Sequence, residues 1–258
     1  MIKAKTYTLI TGASGGIGSA LAREFAGHGH NLVLHGRTLD SLGQVVADCR
    51  KAGVAVETIL GDLSLPGAAV KLHDELVVRK ITVSQLVNNA GYGDFGFFED
   101  TDIVKTHGLM MVNMVALTEL TRLFLPQIIK ARGGVLNVAS VVGFFPGPLM
   151  AVYYASKAYV LSFSNALSNE LEGRARVTAL CPGITKTGFV NAAHLQSSKL
   201  SKGGMMSAEK VAQLGYRGFM AGKPIVVTGL RNRINVLLHR LMPRMVSAKI
   251  IRGIQEKA

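Results

Sequence analysis

Residues 6–25, TYTLITGASGGIGSALAREF, carry the strongest indication of the fold. The apolar run Tyr7–Ile10 has the character of a strand, and residues 20–25 have that of a helix, so the glycine-rich segment between them is predicted to be a strand-to-helix turn. Glycines allow a backbone to approach a phosphate closely, and a helix N-terminus directs unpaired N–H groups towards it. We therefore predict a dinucleotide-binding turn, with a plain tight connection as the alternative. The residues assigned to this turn are Gly12, Ser14, Gly15, Gly16, Ile17 and Gly18.

Short β-branched runs alternate with longer helical patterns along the rest of the chain. Strands are expected near 6–11, 31–35, 55–60, 84–88, 134–139, 176–180 and 224–228. A strand core such as 135–138 lacks the alternation of a half-exposed sheet, which is typical of a sheet covered on both faces. The prediction is an α/β fold, a doubly wound Rossmann-type parallel sheet of about seven strands with helices on both faces, in one domain over 1–258.

The composition is that of a basic protein with a sizeable core. The 258 residues are 48% hydrophobic, and 29 Lys and Arg against 16 Asp and Glu give a net charge of +13. Such a charge favours anionic lipid, nucleic acid or a phosphorylated cofactor as a partner. The sequence has no helix-turn-helix, zinc-finger or aromatic RNA-binding motif, so no nucleic-acid partner is expected.

The cysteines and the N-terminus indicate a cytoplasmic protein. Cys49 and Cys181 lie far apart and have no ligand-like spacing, so neither a disulfide framework nor a metal site is predicted. No apolar signal region precedes the first strand, and no uninterrupted apolar stretch reaches the roughly 18 residues of a membrane span. Residues 188–206 are polar and rich in small side chains, and we expect them to form a substrate lid loop.

The end of the second strand bears on the choice of dinucleotide. Gly36 and Arg37 stand where NAD-selective proteins usually carry a carboxylate for the ribose hydroxyls. A carboxylate would repel the extra phosphate of NADP, whereas the Arg37 guanidinium can pair with it through two hydrogen bonds. The prediction is NADP (NADPH), with NAD less favoured. In the alternative, Arg37 is a solvated residue at a helix start and Asp40 binds the ribose.

Tyr153 and Lys157 lie four residues apart in a helical pattern, so both project from one face about one turn apart. An ammonium beside a phenol favours phenolate, and we expect a pKa for Tyr153 below its usual value of about 10. Tyr153 could then act as a general acid/base. Ser140, thirteen residues earlier, is a candidate to hold the same substrate oxygen, with an ordinary strand-end residue as the alternative. Tyr154 and Tyr159 are expected to be core tyrosines.

Several motifs occur in an order that resembles the short-chain dehydrogenase/reductase family. They are TGASGGIG at 11–18, Asp62-Leu63 after the third strand, NNAG at 88–91, Asn113, Ser140, YYASK at 153–157 and Pro182-Gly183 with Thr187. Each motif alone is weak, but their joint order over residues 5–230 is specific. The resemblance implies an NADP-dependent oxidoreductase that interconverts a ketone or aldehyde and its alcohol, with Tyr153 as acid/base.

The same resemblance implies further roles. Lys157 would also bind the nicotinamide ribose, and Asn113 would anchor a water that links Lys157 to solvent as a proton relay. Asp62 and Leu63 would contact the adenine. The remaining cofactor contacts that the resemblance implies are Asn89, Ala90, Gly91, Tyr153, Lys157, Pro182, Gly183, Ile184, Thr185 and Thr187. Family members are often dimers or tetramers, so a homo-oligomer is expected.

A fold does not establish catalysis by itself. The main alternative from another class is a regulator that binds the cofactor and has lost catalytic activity. The four residues of the catalytic constellation are all present, which favours the enzyme; they are Ser140, Tyr153, Lys157 and Asn113.

The residues expected to face the substrate are apolar, which predicts a hydrophobic carbonyl or alcohol substrate. They are Tyr92, Phe95, Phe144, Phe145, Pro146, Leu149 and Met150, and Phe97 and Phe98 either join this wall or pack in the core.

The C-terminal segment 230–258 is expected to be a basic helical extension. A helical pattern over 235–254 places Leu237, Leu238, Leu241 and Met245 together beside a basic stripe, although Pro243 interrupts it. Such a segment could lie on an anionic membrane surface. A helix that caps the pocket or builds an oligomer interface is the alternative.

Overall fold

The computed structural model describes residues 5–188 and 205–256. Seven parallel strands form one sheet in the order β3-β2-β1-β4-β5-β6-β9. The strands are β1 Thr6–Ile10, β2 Asn31–Gly36, β3 Val56–Leu60, β4 Thr82–Asn88, β5 Gly134–Val138, β6 Arg176–Cys181, β7 Thr185–Lys186, β8 Met206–Ser207 and β9 Ile225–Val227. Strands β7 and β8 form a separate two-stranded ladder, which was not predicted. The expectation of a doubly wound sheet of about seven parallel strands is confirmed.

Helices cover both faces of the sheet, and the strands between them are buried on both sides. The helices are α1 Gly16–Gly27, α2 Leu39–Lys51, α3 Ala68–Val78, α4 Ile103–Met110, α5 Leu117–Lys130, α6 Ala151–Glu170, α7 Ala208–Met220, α8 Leu230–Leu241 and α9 Arg244–Gln255. Helices α1, α2 and α7 form one apolar layer, around Phe25 and Phe219. On the other face, α3 and α5 pack around Phe124. Burial of this continuous apolar surface on both faces is the main stabilising contribution to the fold.

The strand order places a crevice at the carboxyl edge of β1 and β4. Strand β1 pairs with β2 on one side and with β4 on the other, so successive connections leave the centre of the sheet in opposite directions. Ile10 pairs with Val87 at the ends of the two strands. In open α/β sheets, ligands bind at such a switch point. The glycine turn after β1 and the NNAG motif after β4 therefore meet at one site.

Helices α4 and α5 are joined into one continuous helical segment by a π-helical stretch, Met111–Ala116. Within the described residues, segment 103–130 could cross a membrane by length and composition alone. Its side chains Leu120, Phe124 and Ile128 are buried against the sheet, in the manner of a core helix. Glu119 and Arg122 interrupt its apolar character.

The C-terminal pattern predicted over 235–254 is divided between α8 and α9. Pro243 separates them, since it lacks an N–H and caps the N-terminus of α9. The predicted lid loop 188–206 falls almost wholly on residues 189–204, which lie outside the described residues. Of its two ends, Gly188 lies in a turn and Met206 belongs to β8.

Candidate active site

The glycine turn between β1 and α1 has the geometry of an anion cradle. Gly12 and Gly16 adopt φ values of +63° and +55°, a region that favours glycine. Helix α1 begins at Gly16, and its cap residue Gly15 supplies no side-chain hydrogen bond to the first turn. A Cβ added at Gly15 would meet no atom within 4 Å, so the space in front of the helix N-terminus is open. This helix end can accept a phosphate.

Gly18 is required for a different reason. A Cβ at this position would lie 2.2 Å from the Gly12 carbonyl oxygen and 2.4 Å from Nδ2 of Asn89. Only glycine lets the first turn of α1 pack this closely against the preceding turn. Asn89 Nδ2 in turn donates to the carbonyls of Thr11 and Gly12, each at 3.0 Å.

Thr11 joins the glycine turn to the end of β4. Its Oγ1 accepts hydrogen bonds from the backbone N–H groups of Asn89 and Ala90, both at 3.0 Å. Its own N–H donates to the carbonyl of Val87 at 3.0 Å. The sequence analysis did not assign Thr11 to the site, although a polar residue that directly follows an apolar strand was an available signal.

Arg37 and Asp62 lie beyond the ends of β2 and β3, on the side of the crevice expected to hold the adenosine. Arg37 is exposed, and within the described residues it makes no hydrogen bond or ion pair. The Ser64 backbone N–H and hydroxyl donate to Asp62 at 2.9 and 2.7 Å and lower the pKa of its carboxyl, with a smaller contribution from Arg37. The side chain of Leu63 is buried in the core, which leaves its backbone to face the crevice.

His35 lies directly beneath this region at the end of β2. Its carbonyl accepts a hydrogen bond from Ala13 N–H at 2.9 Å, which ties β2 to the glycine turn. The ring is buried next to the backbone of Gly61, and burial lowers the pKa of His35 to about 4. The imidazole is therefore neutral at physiological pH.

Tyr153, Ser140 and Lys157 are brought together by α6 and the end of β5. Tyr153 and Lys157 lie one turn apart on α6, and both are buried. Ser140 hydrogen-bonds to the Tyr153 side chain, and its Oγ also lies 3.3 Å from the carbonyl oxygen of Pro182. Lys157 Nζ donates to the carbonyl of Val138 at 2.9 Å and lies 5.8 Å from the centre of the Tyr153 ring.

The expectation that Lys157 lowers the pKa of Tyr153 is wrong in this structure. Burial, followed by Tyr154, raises the pKa of Tyr153 well above its usual value, and only the hydrogen bond with Ser140 acts in the opposite direction. Burial also lowers the pKa of Lys157 to about 8, which weakens the positive charge that was expected to stabilise phenolate. The phenol is therefore a proton donor at neutral pH. Desolvation outweighs the nearby cation here.

Asn113 lies in the π-helical stretch between α4 and α5, and its amide is fully engaged. Oδ1 accepts from Tyr92 N–H at 3.2 Å, while Nδ2 donates to Tyr92 O at 3.1 Å and to Ser156 Oγ at 3.0 Å. Ser156 Oγ donates to the carbonyl of Tyr153 at 2.7 Å. A Cβ at Gly91 would lie 2.8 Å from Asn113 Oδ1 and 3.5 Å from Lys157 Nζ, so the NNAG motif closes around both side chains.

The segment after β6 returns to the glycine turn. Pro182 O accepts from Val141 N–H at 3.0 Å, which fixes the backbone next to Ser140. Ile184 and Thr185 lead into the β7–β8 ladder. The methyl group of Thr187 lies 3.1 Å from where a Cβ of Gly16 would be, so Thr187 packs directly on the turn. Gly183 lies against Asn232 of α8, where a Cβ would be 2.3 Å from Nδ2.

A small cavity of about 40 Å³, with Tyr153 in its wall, lies beside the constellation. Its apolar wall is formed by Phe98, Leu109, Leu149, Met150 and Val152, and its polar wall by Asp94, Thr101 and Thr106. Phe95 and Tyr92 pack in the same cluster as Tyr153. Leu149 has a φ of +64°, which is uncommon for a residue with a side chain and concentrates strain at the cavity wall.

Two predictions about aromatic side chains near the site need correction. Phe144, Phe145 and Pro146 line a different groove of about 370 Å³, together with Arg244 and small residues of α6. Phe145 also packs against the cluster that contains Tyr153, whereas Phe144 packs in a different cluster with Ala139 and Val160. Tyr159 is not a core tyrosine, since it is partly exposed and its hydroxyl pairs with Thr118 at 2.8 Å.

Three polar groups next to the Ser140, Tyr153 and Lys157 cluster were not predicted as part of the site. Two of them are Ser156 and the Val138 carbonyl. The position of Ser156, a polar residue directly before Lys157 inside a helix, was an available signal. Cys181 lies at the end of β6 close to Lys157, and burial raises its pKa to about 12. Its thiol stays protonated, so it is no nucleophile.

A family model described as short chain dehydrogenase matches residues 6–197. The chain belongs to the short-chain dehydrogenase family. Members are oxidoreductases that act on alcohols and ketones and bind a nicotinamide dinucleotide. The Ser140, Tyr153 and Lys157 cluster and the glycine turn both lie within the matched residues.

Curated relatives and solved structures agree with this assignment. The chain is 33% identical to 11-beta-hydroxysteroid dehydrogenase-like 4A of Arabidopsis thaliana over 93% of this chain and 82% of that protein. It is 33% identical to the very-long-chain 3-oxoacyl-CoA reductase of Mus musculus over 96% and 78% of the two chains. A short-chain dehydrogenase from Sphingobium yanoikuyae in complex with NADPH superposes with a TM-score of 0.81 at 31% identity, covering 92% of this chain and 93% of that chain.

Proposed function

We propose that this protein is an NADP(H)-dependent carbonyl reductase or alcohol dehydrogenase acting on a hydrophobic substrate. The observation that carries the proposal is the buried Tyr153 hydroxyl, which is hydrogen-bonded to Ser140, one helical turn before Lys157 and in the wall of a mainly apolar cavity. A polar group with these neighbours is suited to protonate an oxygen bound in that cavity.

The residues present fit a nicotinamide dinucleotide. Gly15 leaves open space at the N-terminus of α1, which suits the pyrophosphate. Thr187 packs on Gly16, and Lys157 lies next to Gly91. Lys157 is thereby suited to the nicotinamide ribose. When bound, the dinucleotide supplies or accepts the hydride.

Arg37 supports NADP over NAD. Its guanidinium is exposed and, in the described part of the chain, has no competing ion pair or hydrogen bond. It lies near Asp62, whose carboxylate is already engaged by Ser64 and so competes little for it. A guanidinium in this state can take up a phosphate on the adenosine ribose.

The chain's own contribution to the reaction is proton delivery and positioning. In the reductive direction, Ser140 and Tyr153 hold the carbonyl oxygen, and Tyr153 donates its proton as negative charge develops on that oxygen. The phenol is protonated at neutral pH, which is the state that this direction requires, and an alkoxide is a far stronger base. Lys157, held by Val138, and Asn113, held by Tyr92, fix the geometry.

The cavity wall supports a hydrophobic substrate, and so do the names of the relatives. Leu109, Leu149 and Met150 offer an apolar surface next to Tyr153, with few polar groups to orient a ligand. A hydroxysteroid dehydrogenase-like protein and a very-long-chain 3-oxoacyl-CoA reductase both carry names that indicate large apolar substrates. Steroid-like ketones and long-chain acyl ketones are therefore the first classes to test.

The test is NADPH oxidation with a panel of apolar ketones and aldehydes, for the native protein and for Tyr153→Phe. We expect turnover by the native protein and a loss of at least about 100-fold in kcat in the variant. NADPH binding, measured by fluorescence titration, should be unchanged, because the phenyl ring retains the packing.

Tyr154→Phe is the matched control, since Tyr154 is equally buried on the next position of α6 but bonds to Gln255. Its kcat should stay within about threefold of the native value. Native protein that binds NADPH but turns over no substrate in either direction would instead support the cofactor-binding regulator.

A further inference from the structure

Helix α8 carries an apolar stripe on its outer face. Five side chains between Leu230 and Leu241 fall within an arc of about 100° at 3.6 residues per turn. Their exposed fractions are 72% for Leu230, 50% for Ile234, 60% for Leu237, 51% for Leu238 and 79% for Leu241. We call these five residues the α8 stripe.

The opposite face of α8 holds the helix onto the protein. Asn232 Nδ2 donates to Thr228 O at 2.7 Å, and Val236 is buried. The His239 ring lies 4.6 Å from the Phe145 ring, and its Nδ1 lies 2.8 Å from Ser247 Oγ. Because this inner face is already packed, the α8 stripe faces outward.

Basic residues border the α8 stripe on both sides. At the same helical period, Arg231 flanks one edge, and Arg233 and Arg240 flank the other. Helix α9 extends this surface with exposed Met245 and Val246 beside three further cations, which are Arg244, Lys249 and Arg252. Residues 230–256 contain six Arg and Lys residues and one acidic residue, Glu256.

We propose that the α8 stripe docks onto an anionic lipid bilayer and makes this protein a peripheral membrane protein. An apolar stripe bordered by arginines matches the boundary between acyl chains and headgroups, since the leucines enter the apolar layer and the guanidiniums reach the phosphates. Exposed apolar patches of this kind in water mark interaction sites.

The charge favours a bilayer over a second copy of this chain. A two-fold interface through the α8 stripe would bring the arginines that border the stripe, Arg231, Arg233 and Arg240, close to those of the partner copy. Like charges brought together across an interface are strongly unfavourable. An anionic bilayer offers the opposite sign of charge over a continuous surface.

Helix α9, which follows α8 in the chain, packs against residues of the Tyr153 cavity through Ile251. Phe98 lines that cavity and is 67% exposed, and the neighbouring Phe97 ring lies 6.0 Å from the Arg252 guanidinium of α9. A bound bilayer would thus be next to the cavity mouth. This consequence rests on the proposed function, because it presents an apolar carbonyl compound dissolved in the lipid directly to Tyr153.

The test is vesicle flotation of the purified protein without cofactor or substrate. Vesicles of phosphatidylcholine alone are compared with vesicles that also contain phosphatidylglycerol. We expect binding to the anionic vesicles at least about tenfold stronger than to the neutral ones, weakened as salt rises from about 0.05 M to about 0.5 M. The double variant Leu237→Ser, Leu241→Ser should weaken binding to the anionic vesicles at least about tenfold.

The matched control is Val77→Ser, Val78→Ser. These residues are 55% and 80% exposed at the C-terminal end of α3. Because α3 leads into the first residue of β4, this end lies at the amino edge of the sheet, opposite the carboxyl edge. The control should bind as the native protein does. Both double variants keep every charged residue of the protein. If the two bind the anionic vesicles equally well, net charge alone attracts the protein to the lipid, and the proposal is overturned.

Two further outcomes would also overturn it. One is the absence of native binding to anionic vesicles at low salt. The other is a dimer that the α8 double variant dissociates, measured by analytical ultracentrifugation, because the stripe would then be an interface between copies. NADPH oxidation with a water-soluble ketone is measured in parallel: vesicle binding without turnover contradicts the proposed function alone, and turnover without vesicle binding contradicts the membrane proposal alone.

Discussion

Lys157 is a cation that the fold buries for a functional reason. Its Nζ donates a hydrogen bond to the Val138 carbonyl, and burial lowers its pKa to about 8. In its folded environment the ammonium is therefore less stable than in water, by about 1.36 kcal/mol per pKa unit. Stability is given up at this residue so that a charge can be placed beside Tyr153 and Gly91.

Lys157→Met should therefore abolish turnover and raise the free energy of unfolding by about 1–2 kcal/mol near neutral pH, after the lost hydrogen bond is subtracted. The unfolded chain holds this proton up to its usual pKa of 10.5 and the folded chain only to about 8, so the native protein gains stability as pH rises between these values. The advantage of the variant should shrink over the same range. Urea unfolding at several pH values measures it, with the exposed Lys71→Met as control.

His35 should make the protein less stable in mild acid. Its folded-state pKa is about 4 and its usual value is 6.5, so the unfolded chain binds the proton first as pH falls. Its contribution is fully present above pH 6.5 and is progressively lost between 6.5 and about 4. Between neutral pH and about pH 5, the loss should be about 2 kcal/mol.

His35→Gln should flatten this dependence, and the exposed His107→Gln should leave it unchanged. The measurement is the free energy of unfolding in urea at the two pH values, for the native protein and both variants. An unaltered slope in His35→Gln would show that another group is responsible; His30, whose pKa is also lowered by burial, would be the next residue to test.

Among the secondary-structure elements, the first turn of α1 packs so closely against the Gly12 turn that no side chain fits at Gly18. A Cβ at Gly18 would overlap backbone of the Gly12 turn, and the backbone cannot move without displacing Asn89 and its hydrogen bonds to β1. The strand, turn and helix therefore act as one unit in the binding of a phosphate.

Gly18→Ala should lower the free energy of unfolding by at least about 2 kcal/mol and weaken dinucleotide binding at least about tenfold. Gly27→Ala is the control on the same helix, because a Cβ there meets no atom within 4 Å. That variant should be neutral or gain up to about 1 kcal/mol from helix propensity. Thermal unfolding and NADPH titration of both variants measure the difference. Equal effects of the two substitutions would contradict the role of the close contact.

At the scale of the whole molecule, a bound dinucleotide should stabilise the protein against heat. The cofactor crevice lies between the two halves of the sheet, and a ligand that binds only the folded chain at about 100 times its Kd adds about 2.7 kcal/mol. NADPH should raise Tm more than NADH at equal concentration. In Arg37→Ala the two shifts should become equal, mainly through loss of the NADPH effect. A larger shift with NADH in the native protein would mean that NAD is the cofactor.

The amino-acid sequence was sufficient to predict the parallel α/β sheet and the residues that form the active-site cluster. Apolar runs of strand length that alternate with helical patterns predict a parallel sheet, and residues at the carboxyl ends of its strands must meet at one edge. The glycine turn was predicted from its own pattern, whereas the NNAG motif and Ser140 were assigned to the site through the resemblance to the family. Helical spacing alone placed Tyr153 next to Lys157. These are local properties, which depend on residues close in the chain.

The burial of side chains and the direction in which loops and helix faces point became known only from the tertiary structure. The pKa of Tyr153 is raised rather than lowered because desolvation depends on every atom packed around the phenol. Phe144 and Phe145 follow Ser140 in the chain but line a second groove, because the direction of a loop depends on what it packs against. The helical period of α8 predicts an apolar face, but only the contacts of Asn232 and Val236 show that this face points outward. Burial and direction are set by residues distant in the chain, and a sequence pattern carries no measure of either.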